Sequence, residues 1–187
     1  EDLLDFFRYF DDAESLSEVW MRGNWDFAHY ILKPSVLPYL NNPYEKRVLE
    51  IGYGGGRLLQ AACRYFGSGV GVDVHGNASL VREAIEYLDV SNFELFQTDG
   101  LSMPMDDSSI DFAYSFIVLQ HLPTLQSLRA VLQELRRVIR PDGIGILYFG
   151  YLRSGLFKRT RFEEAIRSKT PDIRDVTLRL TMPFARK

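Results

Sequence analysis

The 187-residue sequence is 46% hydrophobic and 25% charged, which suits a globular protein with one sizeable core, read as a single domain over residues 1–187. No apolar run approaches membrane-spanning length, so a transmembrane reading fails; the N-terminus, E-D-L-L-D-F-F, is acidic and lacks a leader-like apolar stretch, and no membrane partner is expected. The net charge of −3 divides into −9 over residues 1–150 (12 Lys and Arg, 21 Asp and Glu) and +6 over residues 151–187 (10 and 4), and the lone Cys63 excludes an internal disulfide and fits a reducing, cytoplasmic setting.

Residues 3–40 read as helical and aromatic-rich, with Phe6, Phe7, Tyr9, Phe10, Trp20, Trp25, Phe27 and Tyr30 spread through them. This stretch could form a lid or simply pack as core. A turn at N-N-P-Y (41–44) leads into a first strand, Arg47–Ile51, and a helix over Leu58–Phe66. A second strand, Gly69–Val74, precedes a helix over Ala78–Leu88. A third strand, Phe93–Thr98, is followed by a fourth, Ile110–Ser115, and an amphipathic helix over Leu125–Ile139. Pro141-Asp142-Gly143 turns the chain into a fifth strand, Ile144–Phe149. Strands alternating with helices predict an α/β fold: a doubly wound, mostly parallel sheet with right-handed crossovers.

The segment R-V-L-E-I-G-Y-G-G-G-R (47–57) carries the chemistry. An apolar strand containing one acid, Glu50, runs into Gly52, Gly54 and Gly56 and then at once into a helix. Strand, glycine turn and helix start is how α/β proteins bring backbone close to a nucleotide-like ligand. The same glycines also suit tight strand–helix packing. A dinucleotide fingerprint needs a third glycine at position 57, where Arg57 stands.

Three acids follow at strand ends. Asp73 closes the second strand, where a carboxylate accepts from both ribose hydroxyls; its second reading is a helix N-cap. Asp99, before Gly100, suits an exocyclic adenine amine or an Asx turn. Asp111 opens the fourth strand and reads as structural, with Ser115 at that strand's other end.

V-L-E-I-G-Y-G-G-G (48–56), G-V-D-V (71–74), Q-T-D-G (97–100), I-D-F-A-Y-S (110–115) and R-V-I-R-P-D-G (137–143) together resemble the class I S-adenosylmethionine-dependent methyltransferases. The likeness covers about residues 44–150. It implies a Rossmann-like core over 41–150, a helical cap over 1–40, and S-adenosylmethionine as cofactor. It also implies roles. Glu50 and the backbone of Gly52–Gly56 hold the methionine end. Tyr53 either covers the cofactor or is exposed. Asp73 binds ribose, and Val74 meets the adenine. Asp99 and Gly100 sit at the adenine edge. Ser115 lines the floor near the methyl.

His121, in L-Q-H-L-P, is the candidate general base, with a packing or helix-start role as its alternative; His29 is a weaker candidate, and His75 belongs to the cofactor rim or to solvent. One Cys and three scattered His make no metal site. The acceptor is read as a small molecule. The alternatives are RNA or protein methylation through the basic segment 151–187, and a cofactor-binding protein without catalysis. Against the family pattern the C-terminal end reads as shortened, holding one helix (Phe162–Ser168) and one strand (Val176–Thr181). The sheet edge it leaves could be completed by a partner chain.

Overall fold

The computed structural model describes residues 3–10, 13–151 and 172–174. Among these, five strands run parallel: β1 (Arg47–Ile51), β2 (Ser68–Asp73), β3 (Phe93–Gln97), β4 (Ile110–Phe116) and β5 (Ile139–Tyr151). A short β6 (Asp172–Arg174) pairs antiparallel with the end of β5, giving the order β3-β2-β1-β4-β5-β6. The expected helix Phe162–Ser168 and strand Val176–Thr181 lie outside the described residues. The strand order reverses between β1 and β4. The crevice above that point, at the strands' carboxyl ends, is where open α/β sheets bind ligands.

The helices are α1 (Leu3–Phe10), α2 (Leu16–Asp26), α3 (Arg57–Cys63), α4 (Ala78–Glu86) and α5 (Leu125–Val138). Parallel strands covered on both faces need apolar residues throughout, and β4 is buried along nearly its whole length. Alternation then sorts each strand between two layers. Val48, Phe112, Tyr114, Ile144 and Ile146 face Leu58, Ala61 and Ala62 of α3. Leu49, Ile51, Val70, Ala113 and Leu147 face Val131, Leu135 and Val138 of α5. Each fully buried side chain of this size contributes roughly 1.5–3 kcal/mol. Two expectations shift slightly. The apolar stripe of α5 begins after Leu125, which is 48% exposed. The Pro141–Gly143 turn is a bulge inside β5, because Ile110 pairs with Ile139 and Phe112 already pairs with Ile144.

Asp111 is the reason that bulge has a fixed place. Its Oδ2 accepts from the Arg47 N–H at 2.8 Å, and its Oδ1 takes the Arg140 guanidinium at 3.3 Å and the Lys46 ammonium at 3.6 Å. The residue ties β1, β4 and β5 together at the end of the sheet opposite the crevice, as a structural acid.

The N-terminal segment serves as both core and cover. A π-helical turn, Phe27–Ile31, drives Phe27 and Ile31 into the β1–β4–β5 face. Upstream, α2 crosses the start of α3 closely; a Cβ on Gly23 would stand 2.1 Å from the Arg57 carbonyl oxygen. α1 lies over the glycine turn. Phe7 fills the space beside Gly55, where a Cβ would meet its ring at 2.1 Å, and Phe6 packs edge-on against His75 at 5.5 Å.

Candidate functional site

The turn after β1 is held in place by β2. Gly52, Gly54 and Gly56 have φ of 80°, 49° and 79°, a region that side chains with a Cβ rarely enter. Two of the three have a second reason to lack a side chain. A Cβ on Gly52 would strike Val118 at 2.4 Å, and one on Gly56 would strike Ile85 of α4 at 2.6 Å. Packing therefore accounts for those two positions as much as ligand approach does. Gly54 is different: its N–H donates to Asp73 Oδ2 at 2.8 Å. Its carbonyl accepts from His75 Nε2 at 2.9 Å, while His75 Nδ1 accepts from the Asn77 N–H at 3.1 Å, which fixes the proton on Nε2. The two peptide units that flank the Gly54 Cα are thus held by a carboxylate on one side and an imidazole on the other.

Asp73 Oδ1 accepts from the Val74 N–H at 2.7 Å, so each carboxylate oxygen holds one backbone donor and keeps a second lone pair. Asp99 makes the Asx turn that its sequence allowed: Oδ1 takes the N–H groups of Leu101 and Ser102 and the Ser102 hydroxyl at 2.7–2.9 Å, leaving Oδ2 outside the turn. Those donors, Ser102 first, hold its carboxyl down to about 2. Gly100 packs on Val74, where a Cβ would sit 2.9 Å from Cγ1.

Two cavities meet over this turn. The first, about 330 Å³, is lined by Asp73, Val74, Asp99, Gly100, Met103 and Leu122 among others, and its walls are mainly apolar. The second, about 550 Å³, is lined by Phe7, Glu50, Tyr53, Gly54, Arg57 and Phe116 among others. Gly52, Asp73, Val74, Val118 and His121 line both. Glu50 is 2% exposed, and burial pushes its carboxyl well above the usual range, opposed by the Tyr114 hydroxyl and by Arg57. Arg57 in turn pairs with Asp26 at 2.5 Å.

The remaining sequence candidates separate. Tyr53 is 2% exposed and packs with Leu59, Val81 and Ile85, so the exposed alternative fails; its hydroxyl is buried without a hydrogen-bond partner. Ser115 is fully buried, and its hydroxyl donates to the Ile51 carbonyl at 3.0 Å. It staples β4 to β1 and does not line the cavity floor; Phe116, Ile117 and Val118 do. His121 is exposed at the mouth shared by both cavities. His29 is exposed on the π-helical turn, stacked on Trp25 at 5.6 Å, away from both linings. His75 belongs to the glycine turn.

Val118 and Tyr114 have no role in the sequence reading, and Arg57 and Phe7 enter it only as a departure from the dinucleotide fingerprint and as one of the N-terminal aromatics. Tyr114 alone left a usable signal: in parallel register it stands beside Glu50. Ile117, a β-branched residue at φ 59°, is a backbone outlier at the cavity edge. Among the described residues no group of three His, Cys, Asp or Glu could hold a metal ion, and no helix is long and apolar enough to cross a membrane.

The residues present fit an adenosine joined to an amino acid: an apolar slot with the Asp73 and Asp99 carboxylates in its lining, adjoining a larger cavity with a buried acid, Glu50. Known proteins agree. The chain is 28% identical over 141 residues to a tRNA (carboxymethyluridine(34)-5-O)-methyltransferase of Macaca fascicularis, covering 73% of this chain and 20% of that protein. It is 27% identical over 141 residues to a ubiquinone biosynthesis O-methyltransferase of Glaesserella parasuis, covering 70% of this chain and 58% of that protein. It thus spans well under two thirds of these relatives' lengths. A crystal structure of an S-adenosylmethionine-dependent methyltransferase from Aquifex aeolicus shares its fold, with a TM-score of 0.55 at 18% identity over 82% of this chain and 81% of that one. A profile described as the methyltransferase domain matches residues 49–147, and on that match this chain belongs to the methyltransferase domain family, of the class I, S-adenosylmethionine-dependent kind.

Proposed function

We propose that this chain binds S-adenosylmethionine across the two joined cavities and transfers its methyl group to a small-molecule acceptor. The observation that carries the reading is the shared wall at Gly52, Asp73 and Val74, with an apolar slot on one side and buried Glu50 on the other. In this reading the free lone pairs of Asp73 take the ribose hydroxyls. Val74 and Gly100 bracket the adenine, and Asp99 Oδ2 accepts from its amine. Glu50 and the Gly52–Gly56 backbone hold the amino-acid end, with Tyr53 packed behind the turn. Ser115 supports the floor through β1 and has no cofactor contact.

Bound S-adenosylmethionine supplies an activated methyl on a sulfonium, so the chain's own task is alignment and exclusion of water. Such positioning contributes at most about 7–11 kcal/mol. Helix α1, with Phe7 at the cavity wall, is the proposed lid. His121 is the proposed base for an acceptor that stays protonated at neutral pH. A buried, unpaired Cys63, whose thiol burial pushes up to about 12, suits a reducing cytoplasmic setting.

The relative that acts in ubiquinone biosynthesis supports a small acceptor. Transfer of a labelled methyl from S-adenosylmethionine to members of a phenol, amine and thiol panel, reduced by His121→Ala, is the expected result. Cofactor binding with no transfer to any acceptor class would leave only the cofactor-binding reading. The tRNA-modifying relative supports a second reading, an RNA acceptor reached by the +6 segment 151–187. RNA binding that weakens steeply with salt is its expected signature.

A further inference from the structure

We propose that Tyr114 is a positioning residue that holds Glu50 in place for the charged amino-acid end of the cofactor. The inference rests on the cofactor reading above and adds a residue to it. β1 and β4 pair in parallel with Glu50 directly opposite Tyr114. Both side chains leave the same face of the sheet, and the Tyr114 hydroxyl donates to Glu50 Oε2 at 3.0 Å. Tyr114 is fully buried, and its ring is packed edge-on by Phe27 at 5.5 Å and lies beside Phe112 at 6.1 Å. The hydroxyl therefore has one direction available, toward Glu50.

The geometry divides the labour. Glu50 lines the second cavity; Tyr114 does not. One carboxylate oxygen is spent on the hydroxyl, and Oε1 lies outside that bond. A buried carboxylate without a fixed donor would be costly and free to turn away. Burial and the neighbouring carboxyl keep the phenol protonated, so it acts as a donor. The groups that face Glu50 are Tyr114 on β4, Arg57, Cys63 and the Leu59 backbone N–H on α3, and Asp73 on β2; Tyr114 is the side-chain donor among them. Among them Arg57 pairs with Asp26, and Cys63 is a neutral thiol.

The test uses two ligands that differ only at the amino-acid end. S-adenosylhomocysteine carries the ammonium and carboxylate; 5′-methylthioadenosine has the adenosine and sulfur without them. Titration calorimetry on the wild type and Tyr114→Phe is expected to show S-adenosylhomocysteine weakened about ten-fold or more, the scale of a lost hydrogen bond to a charged group. Binding of 5′-methylthioadenosine should be unchanged, which also certifies that the variant is folded. In a Glu50→Gln background the added Tyr114→Phe change should have little further effect.

A second readout is pH. An ammonium ligand favours ionised Glu50, so affinity for S-adenosylhomocysteine should rise with pH until Glu50 is ionised in the free protein. Without the hydroxyl that rise should move to higher pH, which a purely structural role does not predict. Equal weakening of both ligands, or of neither, overturns the proposal while leaving the cofactor reading intact. Failure of the wild type to bind either ligand overturns the cofactor reading itself.

Discussion

Two acids at the crevice are built for opposite electrostatic ends. Asp73 is wrapped in backbone donors; Glu50 is taken out of water. For Asp73, removal strands two N–H groups, those of Gly54 and Val74. Asp73→Ala should therefore lower stability by about 1–3 kcal/mol in urea titration and, on the proposed ribose contact, weaken cofactor binding as well. Asp73→Asn, which keeps one acceptor, should lose less stability than binding. For Glu50 the sign is reversed. Burial raises its folded carboxyl well above the usual range, so between the unfolded value near 4.3 and that raised value the folded state holds the extra proton. Stability of the ligand-free chain should fall as pH rises through that window and level off above it. Glu50→Gln removes the penalty. It should be more stable than wild type at pH 8 and should bind S-adenosylhomocysteine poorly. A variant less stable than wild type at pH 8 would show that Glu50 is a structural acid.

At the scale of elements, α1 is seated on the glycine turn by one aromatic ring over one missing Cβ. Gly55→Val puts a branched side chain where Phe7 lies, 2.1 Å from the nearest ring carbon. Overpacking of this kind should cost about 1–3 kcal/mol and release α1, seen as earlier proteolytic cleavage before residue 13. Unchanged protection would mean that α1 is not held there. That contact was invisible in the sequence, because nothing local links Phe7 to Gly55. The first four parallel strands were legible to within a residue or two, because apolar runs such as V-L-E-I and G-V-G-V are bounded by glycines and acids, whereas the fifth begins at Ile139, five residues before its expected start. The β5 bulge was not legible, since it depends on Asp111 meeting Arg47 and Arg140 across three strands. Nor was the fate of Ser115, whose hydroxyl direction follows from which face of β4 it occupies. The places of Asp73 and Glu50 at the crevice were legible because both lie near the carboxyl ends of strands, whereas their contacts with Gly54 and Tyr114 required the register of neighbouring strands.

Over the whole molecule the order reversal between β1 and β4 brings chemistry from distant parts of the chain to one crevice: Glu50 from β1, Asp73 from β2, Asp99 after β3 and His121 after β4. None of these residues touches the same local segment, so their convergence is a property of the topology. Binding there should stabilise the entire cooperative unit. At about 100 times its dissociation constant, S-adenosylhomocysteine should add roughly 2.7 kcal/mol, while a nicotinamide dinucleotide at equal concentration should add nothing measurable. The acidic body and basic end (−9 and +6) make the acceptor, not the donor, the open question of charge. The donor is decided most directly by titrating S-adenosylhomocysteine into the wild-type chain and into Asp73→Ala. The account expects saturable one-site binding by the wild type and at least about a hundred-fold loss in the variant, the scale of two charged hydrogen bonds removed. No binding by the wild type at millimolar ligand, or equal binding by both proteins, would contradict it.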